Sequence, residues 1–213
     1  MQGSRIIGSG MLGSSDAPQT APLLSDGKCA RAQTLISALQ LSYLPKESGY
    51  IGILGRSDQL VMSQSADNQI RKLAAQSHNY YMLTSRLPTN YLHWLESDDT
   101  HILVEGGPVD YFVFHPETRA EGFRAEKITV GMDIERGQHP VIAVPGGCWK
   151  ALKLHEGASH ALMVNVLSPE FTEVGVRIGE SRRWVERFAG KATWATEEFL
   201  AGLIGPNRVE EEV

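Results

Sequence analysis

The sequence predicts a mainly β protein, a sandwich or barrel of short strands with helical segments at both ends. Three observations predict it. Short β-prone runs alternate with Gly, Pro and Asp turns at close spacing from 49 to 178. Helical periodicity is confined to 30–41 and to the stretch 182–204. Alternating strand–helix units are absent, which disfavours Rossmann and TIM-barrel folds.

The elements follow in order. Residues 1–28 are rich in Gly, Ser and Pro, including Gly3, Gly8, Gly13, Pro18 and Pro22. That composition buries too little to offset its ordering entropy, so a flexible arm is expected; the alternative is a strand ordered on a dimer partner. Segment 30–41 reads as a short helix, with Leu35, Ile36 and Leu39 on one face and Ser25 or Asp26 as its cap. Strands are expected at 79–83, 91–95, 101–104, 109–115, 127–130, 141–144, 148–154, 161–167 and 171–178. Turns such as Gly106-Gly107-Pro108 and Pro145-Gly146-Gly147 separate them, and these glycines open no helix that would make a phosphate loop. Segment 182–189 carries Trp184, Val185 and Phe188, and 196–204 carries Phe199, Leu200, Leu203 and Ile204. Glu197 and Glu198 suit the first turn of that last helix and Gly205-Pro206 stops it. Both helices are expected to cover an open face of the barrel. The chain thus divides into an arm (1–28), a barrel (29–179) and a C-terminal helical extension (180–213).

Bulk properties exclude several classes. A length of 213 residues fits one domain with a core that needs no disulfide or metal staple. The net charge of −5, with no basic stripe, argues against nucleic acid as a partner. Two isolated thiols, Cys29 and Cys148, form neither a disulfide framework nor a zinc cluster, and a reducing, cytoplasmic setting is the expectation. No apolar run approaches the ~20 residues of a membrane span, and no charged segment leads into an apolar one as in a signal peptide.

Five segments in order resemble one family. LQLSYLPKESGYIGILGRS at 39–57 is similar to a P-E-G-G-Y-like opening, with Lys46, Glu47, Ser48, Gly49 and Tyr50 as counterparts and Arg56-Ser57 ending the strand that follows. NYYMLT at 79–84 resembles I-Y-Y-L-L-T, and HWLESDDTHILVEGGP at 93–108 resembles H-R-L-x-S-D-E-x-W-x-x-x-x-G-x-P. VPGGCWKAL at 144–152 resembles V-P-A-G-x-W-x-A, and Ser168-Pro169-Glu170-Phe171 resembles A-P-G-F. The chain is identified by these segments, over 35–178, as a member of an uncharacterised cupin subfamily. The resemblance implies a double-stranded β-helix (jelly-roll) barrel, with a small-molecule pocket, no agreed activity and usually a homodimer. The sequence departs from the pattern at Trp94 (usually Arg), Asp99 (usually Glu) and His101 (usually Trp).

Many cupins bind a divalent metal through His-x-His, a carboxylate and a late histidine. In this alignment His93 takes the first position, Leu95 the second, Asp99 the carboxylate and Lys150 the last. A lysine ammonium repels a cation. Asp99 and His101 share a strand face at i and i+2, so His93, Asp99 and His101 are the metal set if there is one. No cofactor is predicted; the other reading of these residues is a hydrogen-bonded polar patch.

His93, Asp99, His101 and Lys150 are instead acid–base types suited to proton abstraction beside a carbonyl, with His93 or His101 as base, Asp99 orienting it and Lys150 stabilising an anion. Glu47, Tyr50, Arg56, Tyr81, Tyr91 and Trp149 are candidate ligand-binding residues, and Trp149 reads equally as core. Cys148 reads as a small buried residue without a paired base, and His115 as a surface residue near a turn. The leading function is a metal-independent isomerase, epimerase, cyclase or lyase acting on a small carbonyl metabolite. The alternatives are a non-catalytic sensor or carrier and a metal-dependent oxygenase.

Overall fold

The structure, a computed structural model, describes residues 29–64, 68–118 and 120–210. The arm at 1–28, with its Ser25 or Asp26 cap, lies outside the described residues. Helix α1 (Ala30–Ala38) follows Cys29 and stops short of the expected 41, because Gln40 adopts a positive φ of 54°. The strands of the described residues follow: β1 (Ser42–Tyr43), β2 (Tyr50–Arg56), β3 (Leu60–Gln64), β4 (Ile70–Ala74), β5 (Ser77–Thr84), β6 (Thr89–Leu95), β7 (Asp98–Gly106), β8 (Val109–His115), β9 (Arg124–Val130), β10 (Val141–Val144), β11 (Trp149–Leu154), β12 (His160–Ser168) and β13 (Val176–Ile178). Helices α2 (Arg182–Phe188) and α3 (Glu197–Ile204) follow, with a 3-10 turn at Gly205–Asn207 after them. No described helix is long and apolar enough to cross a membrane.

Among the described residues the strands form a six-stranded sheet, β1-β2-β5-β12-β7-β10, and a five-stranded sheet, β13-β6-β11-β8-β9, with antiparallel pairing throughout. The hairpin of β3 and β4 stands apart from both. Strand residues alternate between faces, and the inner faces of the two sheets meet in one core. Tyr81, Leu103, Tyr111, Val113, Leu152 and Met163 are among its members.

The outer faces are treated differently. On the five-stranded sheet, Leu92, Phe112, Phe114 and Ala151 pack under Trp184, Phe188, Leu200 and Leu203 of α2 and α3. The C-terminal helices therefore lie flat on a sheet. Thr196 caps α3 by accepting the Phe199 N–H at 3.2 Å, with Glu197 and Glu198 in the first turn. On the six-stranded sheet, α1 covers Tyr50, Met82 and Leu162. Ile102, Val104 and Val141, further along the same sheet, stay exposed at 37%, 55% and 46%.

Candidate active site

The polar residues of the barrel interior come from strands whose register brings them together. On β11, Trp149 faces outward to Trp184, with ring centroids 6.4 Å apart. Its neighbour Lys150 must then face inward, and it pairs with His93 of β6 on one side and Val113 of β8 on the other. Between Lys150 and Leu152 the register with β6 slips by one residue, so Tyr91 and Leu92 together oppose Ala151. The slip keeps both Asn90 and His93 on the inner face. On β7 of the opposite sheet, Asp99 and His101 alternate inward while Ile102 faces out. The turn before β11 is tight: Gly146 donates to Asp98 Oδ1 at 2.8 Å, and a Cβ there would sit 2.1 Å from the Glu96 carbonyl oxygen.

His93, Asp99, His101 and Lys150 are all inside the barrel, none more than 4% exposed. Asp99 Oδ2 accepts from His101 Nε2 at 2.6 Å and from the Lys150 ammonium. An ionised carboxylate only accepts, so His101 carries its proton on Nε2. Its Nδ1 faces the Tyr111 hydroxyl at 2.7 Å, which also touches Met163 Sδ at 2.8 Å. Both ring nitrogens of His101 are thereby engaged. His93 differs. Its Nδ1 donates to the Tyr91 carbonyl at 2.9 Å, which leaves Nε2 as the lone-pair nitrogen of the neutral ring. Nε2 lies 3.9 Å from Glu47 Oε2, close enough for charge to be felt and too far for a hydrogen bond.

Electrostatics follow from burial and these partners. Burial pushes the Asp99 carboxyl up, but the charges and hydrogen bonds of His101 and Lys150 hold it well below the usual carboxylate range. Burial lowers His93; the Glu47 carboxylate opposes this and Lys150 reinforces it. Burial raises the Tyr111 and Tyr81 phenols well above their ordinary value, so both remain donors. Asp99 Oδ1 is buried without a hydrogen-bond partner among the described residues. Such an orphan acceptor costs about 1–3 kcal/mol unless a donor reaches it.

Two predicted ligand-binding residues adjoin this cluster. Glu47 is held at the start of β6 by the Tyr91 N–H (2.7 Å) and the Asn90 amide (3.2 Å), both donating to its carbonyl. Tyr81 faces inward and donates to the Ser48 carbonyl at 2.7 Å; Gly49, at φ 85°, leaves room for its ring. The other four lie elsewhere. Tyr50 packs outward under α1, and Trp149 outward under α2. Tyr91 is turned out by the bulge, against Gly205. Arg56 is 70% exposed and pairs with Glu170 at 3.0 Å. Tyr111 and Met163 were not anticipated, although the inward period of Val109, Tyr111 and Val113 marks the tyrosine.

The donor set does not fit a divalent metal. Both His101 nitrogens have protein partners, the Lys150 ammonium sits on Asp99, and His93 is oriented toward Glu47. Among the described residues no three His, Cys, Asp or Glu side chains converge as ligands. Two open surface concavities, near Arg182 and Arg208 and near Lys46 and Ile178, lie outside the barrel. The buried cluster, unlike these concavities, is a set of oriented, desolvated groups.

Two facing antiparallel sheets that enclose an apolar core with a buried polar cluster have the architecture of a cupin barrel. A family model described as "Cupin superfamily (DUF985)" matches residues 33–178, and the chain belongs to that family. It is similar to the solved structure of a hypothetical protein from Leishmania major, with 23% identity and a TM-score of 0.64, covering 78% of this chain and 97% of that one. It is also similar to an X-ray structure of a Shewanella oneidensis protein, with 19% identity and a TM-score of 0.62, covering 84% and 98%. At these identities the likeness shows the fold. No curated protein matches the chain.

Proposed function

We propose that the barrel is a metal-independent isomerase, epimerase, cyclase or lyase that abstracts a proton beside the carbonyl of a small metabolite. One observation carries this reading. His93, with an unengaged Nε2, and Lys150 sit opposite one another on paired strands, both buried and both facing inward. Opposed residues on paired strands have Cβ atoms about 4.5–5.5 Å apart, a separation one small substrate spans. His93 Nε2 removes the proton, and the Lys150 ammonium, with protons beyond the one given to Asp99, donates to the developing enolate oxygen. Asp99 Oδ1 supplies an acceptor for a substrate hydroxyl. Returning the proton to either face gives an isomerase or epimerase; expelling a group on the next carbon gives a lyase. His101 and Tyr111 act as positioning residues that hold Asp99.

The near-complete enclosure of the cluster favours a second reading, a non-catalytic carrier that uses the same groups to hold its ligand. Deuterium wash-in from D2O into a panel of small 2-oxo acids and hydroxyketones, followed by proton NMR, separates the two. Catalysis predicts exchange that survives chelation and falls by about 10²–10⁴ in His93→Gln. Tight binding without exchange supports the carrier. Exchange abolished by a chelator and restored by a divalent metal contradicts metal independence. We further propose that a second copy covers the exposed strip of Ile102, Val104 and Val141. Sedimentation at micromolar concentration then gives a two-chain mass, and a one-chain mass contradicts it.

A further inference from the structure

A second group of reactive side chains stands at one end of the barrel. Phe114 and Trp149 pair across β8 and β11 and both point outward into the helical cluster. Their neighbours His115 and Cys148 therefore point the other way, and Cys148 packs into the barrel core. Cys148 Sγ lies 3.4 Å from His115 Nδ1, and His115 Nε2 lies 2.7 Å from Glu126 Oε1. Arg124 donates to the other carboxylate oxygen, Glu126 Oε2, at 2.9 Å. Because the carboxylate only accepts, the neutral His115 carries its proton on Nε2 and turns a lone pair on Nδ1 toward the thiol. This corrects the sequence reading of Cys148 as a thiol without a base and of His115 as a surface residue.

Nucleophile, oriented base and orienting carboxylate are the parts of a covalent acyl-transfer site. Two residues on from Cys148, which directly precedes β11 and packs into the core, Lys150 presents its ammonium to the barrel interior. Beyond it lies the partnerless, fully buried Asp99 Oδ1, an acceptor that a bound molecule can satisfy. Burial, with the Glu126 charge acting in the same sense, raises the thiol pKa above its ordinary value; Arg124 and Lys150 oppose this. The resting group is thus the thiol, and it needs the base to become reactive.

We propose that Cys148, His115 and Glu126 form a nucleophilic site that takes an acyl group from small activated esters or thioesters. The thiol proton passes to His115 Nδ1 as Sγ bonds to the acyl carbon. The bond from that carbon to the leaving oxygen or sulfur breaks, and the leaving group takes the proton from His115. Water, deprotonated by His115, then attacks the acyl-Cys148 thioester and releases a carboxylic acid and the free thiol. The net reaction is hydrolysis, with His115 and Cys148 restored. It uses neither His93 nor a carbonyl α-proton.

The test uses the full chain and p-nitrophenyl acetate. A burst of about one p-nitrophenolate per chain is expected, with the acetyl group found on Cys148 by peptide mass spectrometry. Cys29 is the internal control. It is buried like Cys148, but among the described residues its Sγ has a hydroxyl, Ser85 Oγ at 3.3 Å, rather than a histidine as its partner. Cys148 is expected to acetylate much faster than Cys29, a comparison that needs no variant. His115→Gln, with its fold checked by urea unfolding, is expected to slow acetylation by about 10²–10⁴, and Glu126→Gln by less. Acetylation of Cys148 no faster than Cys29, acetyl groups on other residues instead, or an unchanged rate in folded His115→Gln each overturns the proposal.

Discussion

The wall built by β6 and β11 and the wall built by β7 hold the same residue type at nearly the same burial, yet in different states. His93 is 4% exposed and His101 is 2%. His101 has a partner on each nitrogen, Asp99 on one side and Tyr111 on the other. His93 has one hydrogen bond, to a backbone carbonyl, and a second nitrogen that faces Glu47 across 3.9 Å. Burial and residue type therefore do not separate a histidine with both nitrogens engaged from one with a nitrogen free; the count of partners does. The β7 wall gives both His101 nitrogens a protein partner and holds the Asp99 charge through Oδ2, while Asp99 Oδ1 stays open. The wall of β6 and β11 keeps a lone pair and an ammonium available.

That contrast can be broken by variants, and the largest effect is expected at the link between the walls. Lys150→Met leaves Asp99 as a buried charge with one partner fewer, and should cost about 3–5 kcal/mol of unfolding free energy in urea. Replacing both Lys150 and Asp99 by leucine should recover most of the loss. A loss below ~1 kcal/mol in Lys150→Met means the pair does not link the two walls.

Next is the saturation of His101. Tyr111→Phe leaves Nδ1 buried without a partner and should cost about 1–3 kcal/mol. His93→Gln removes no partner from Nε2, and the glutamine amide can still reach the Tyr91 carbonyl, so its cost should be nearer ~1 kcal/mol. Reversal of that order in equilibrium unfolding contradicts the contrast.

A smaller effect is expected in the pH dependence. Burial holds His93 below its unfolded value of ~6.5. In the window between the two values the unfolded chain binds the extra proton. Stability is therefore full above ~6.5 and falls as pH drops through that window. His93→Gln should flatten this part of the profile. Asp99, held low in the fold, adds a loss of the same sign in the more acid range, and that loss should persist in His93→Gln. The smallest effect is expected at Arg56→Ala. This exposed pair contributes ~0–1 kcal/mol, and Glu170 keeps its bond from the Ala74 N–H at 2.7 Å. Ligand binding inside the barrel should not change.

The fold was largely legible because strand period and turn chemistry are local. The bounds of β8 and β10 match the expected 109–115 and 141–144. The expected strand at 171–178 shrinks to Val176–Ile178, because Thr172 caps a 3-10 turn at Glu173–Gly175 and takes those residues out of the ladder. The hairpin of β3 and β4 was missed, since Leu60, Met62 and Ile70 are exposed and give no half-buried alternation to read. In the site, the inward placement of Asp99 and His101 follows from i, i+2 spacing on β7. Of the two readings of Trp149, core and pocket wall, the structure takes the core one, because parity forbids it and Lys150 from sharing a face. Tyr91 was not legible, because the bulge that turns it outward is set by pairing with β11. The state of each histidine was invisible for a related reason. It depends on Tyr111, Glu47 and the Tyr91 carbonyl, contacts that only the closed barrel creates.

Histidine-selective nitrogen-15 NMR of the wild-type protein at neutral pH tests the central claim most directly. The account predicts that His93 carries its proton on Nδ1 and shows an unprotonated Nε2, while His101 is protonated on Nε2 toward Asp99. A protonated His93 Nε2 bonded to Glu47 would contradict it, because the barrel would then hold no free base beside Lys150.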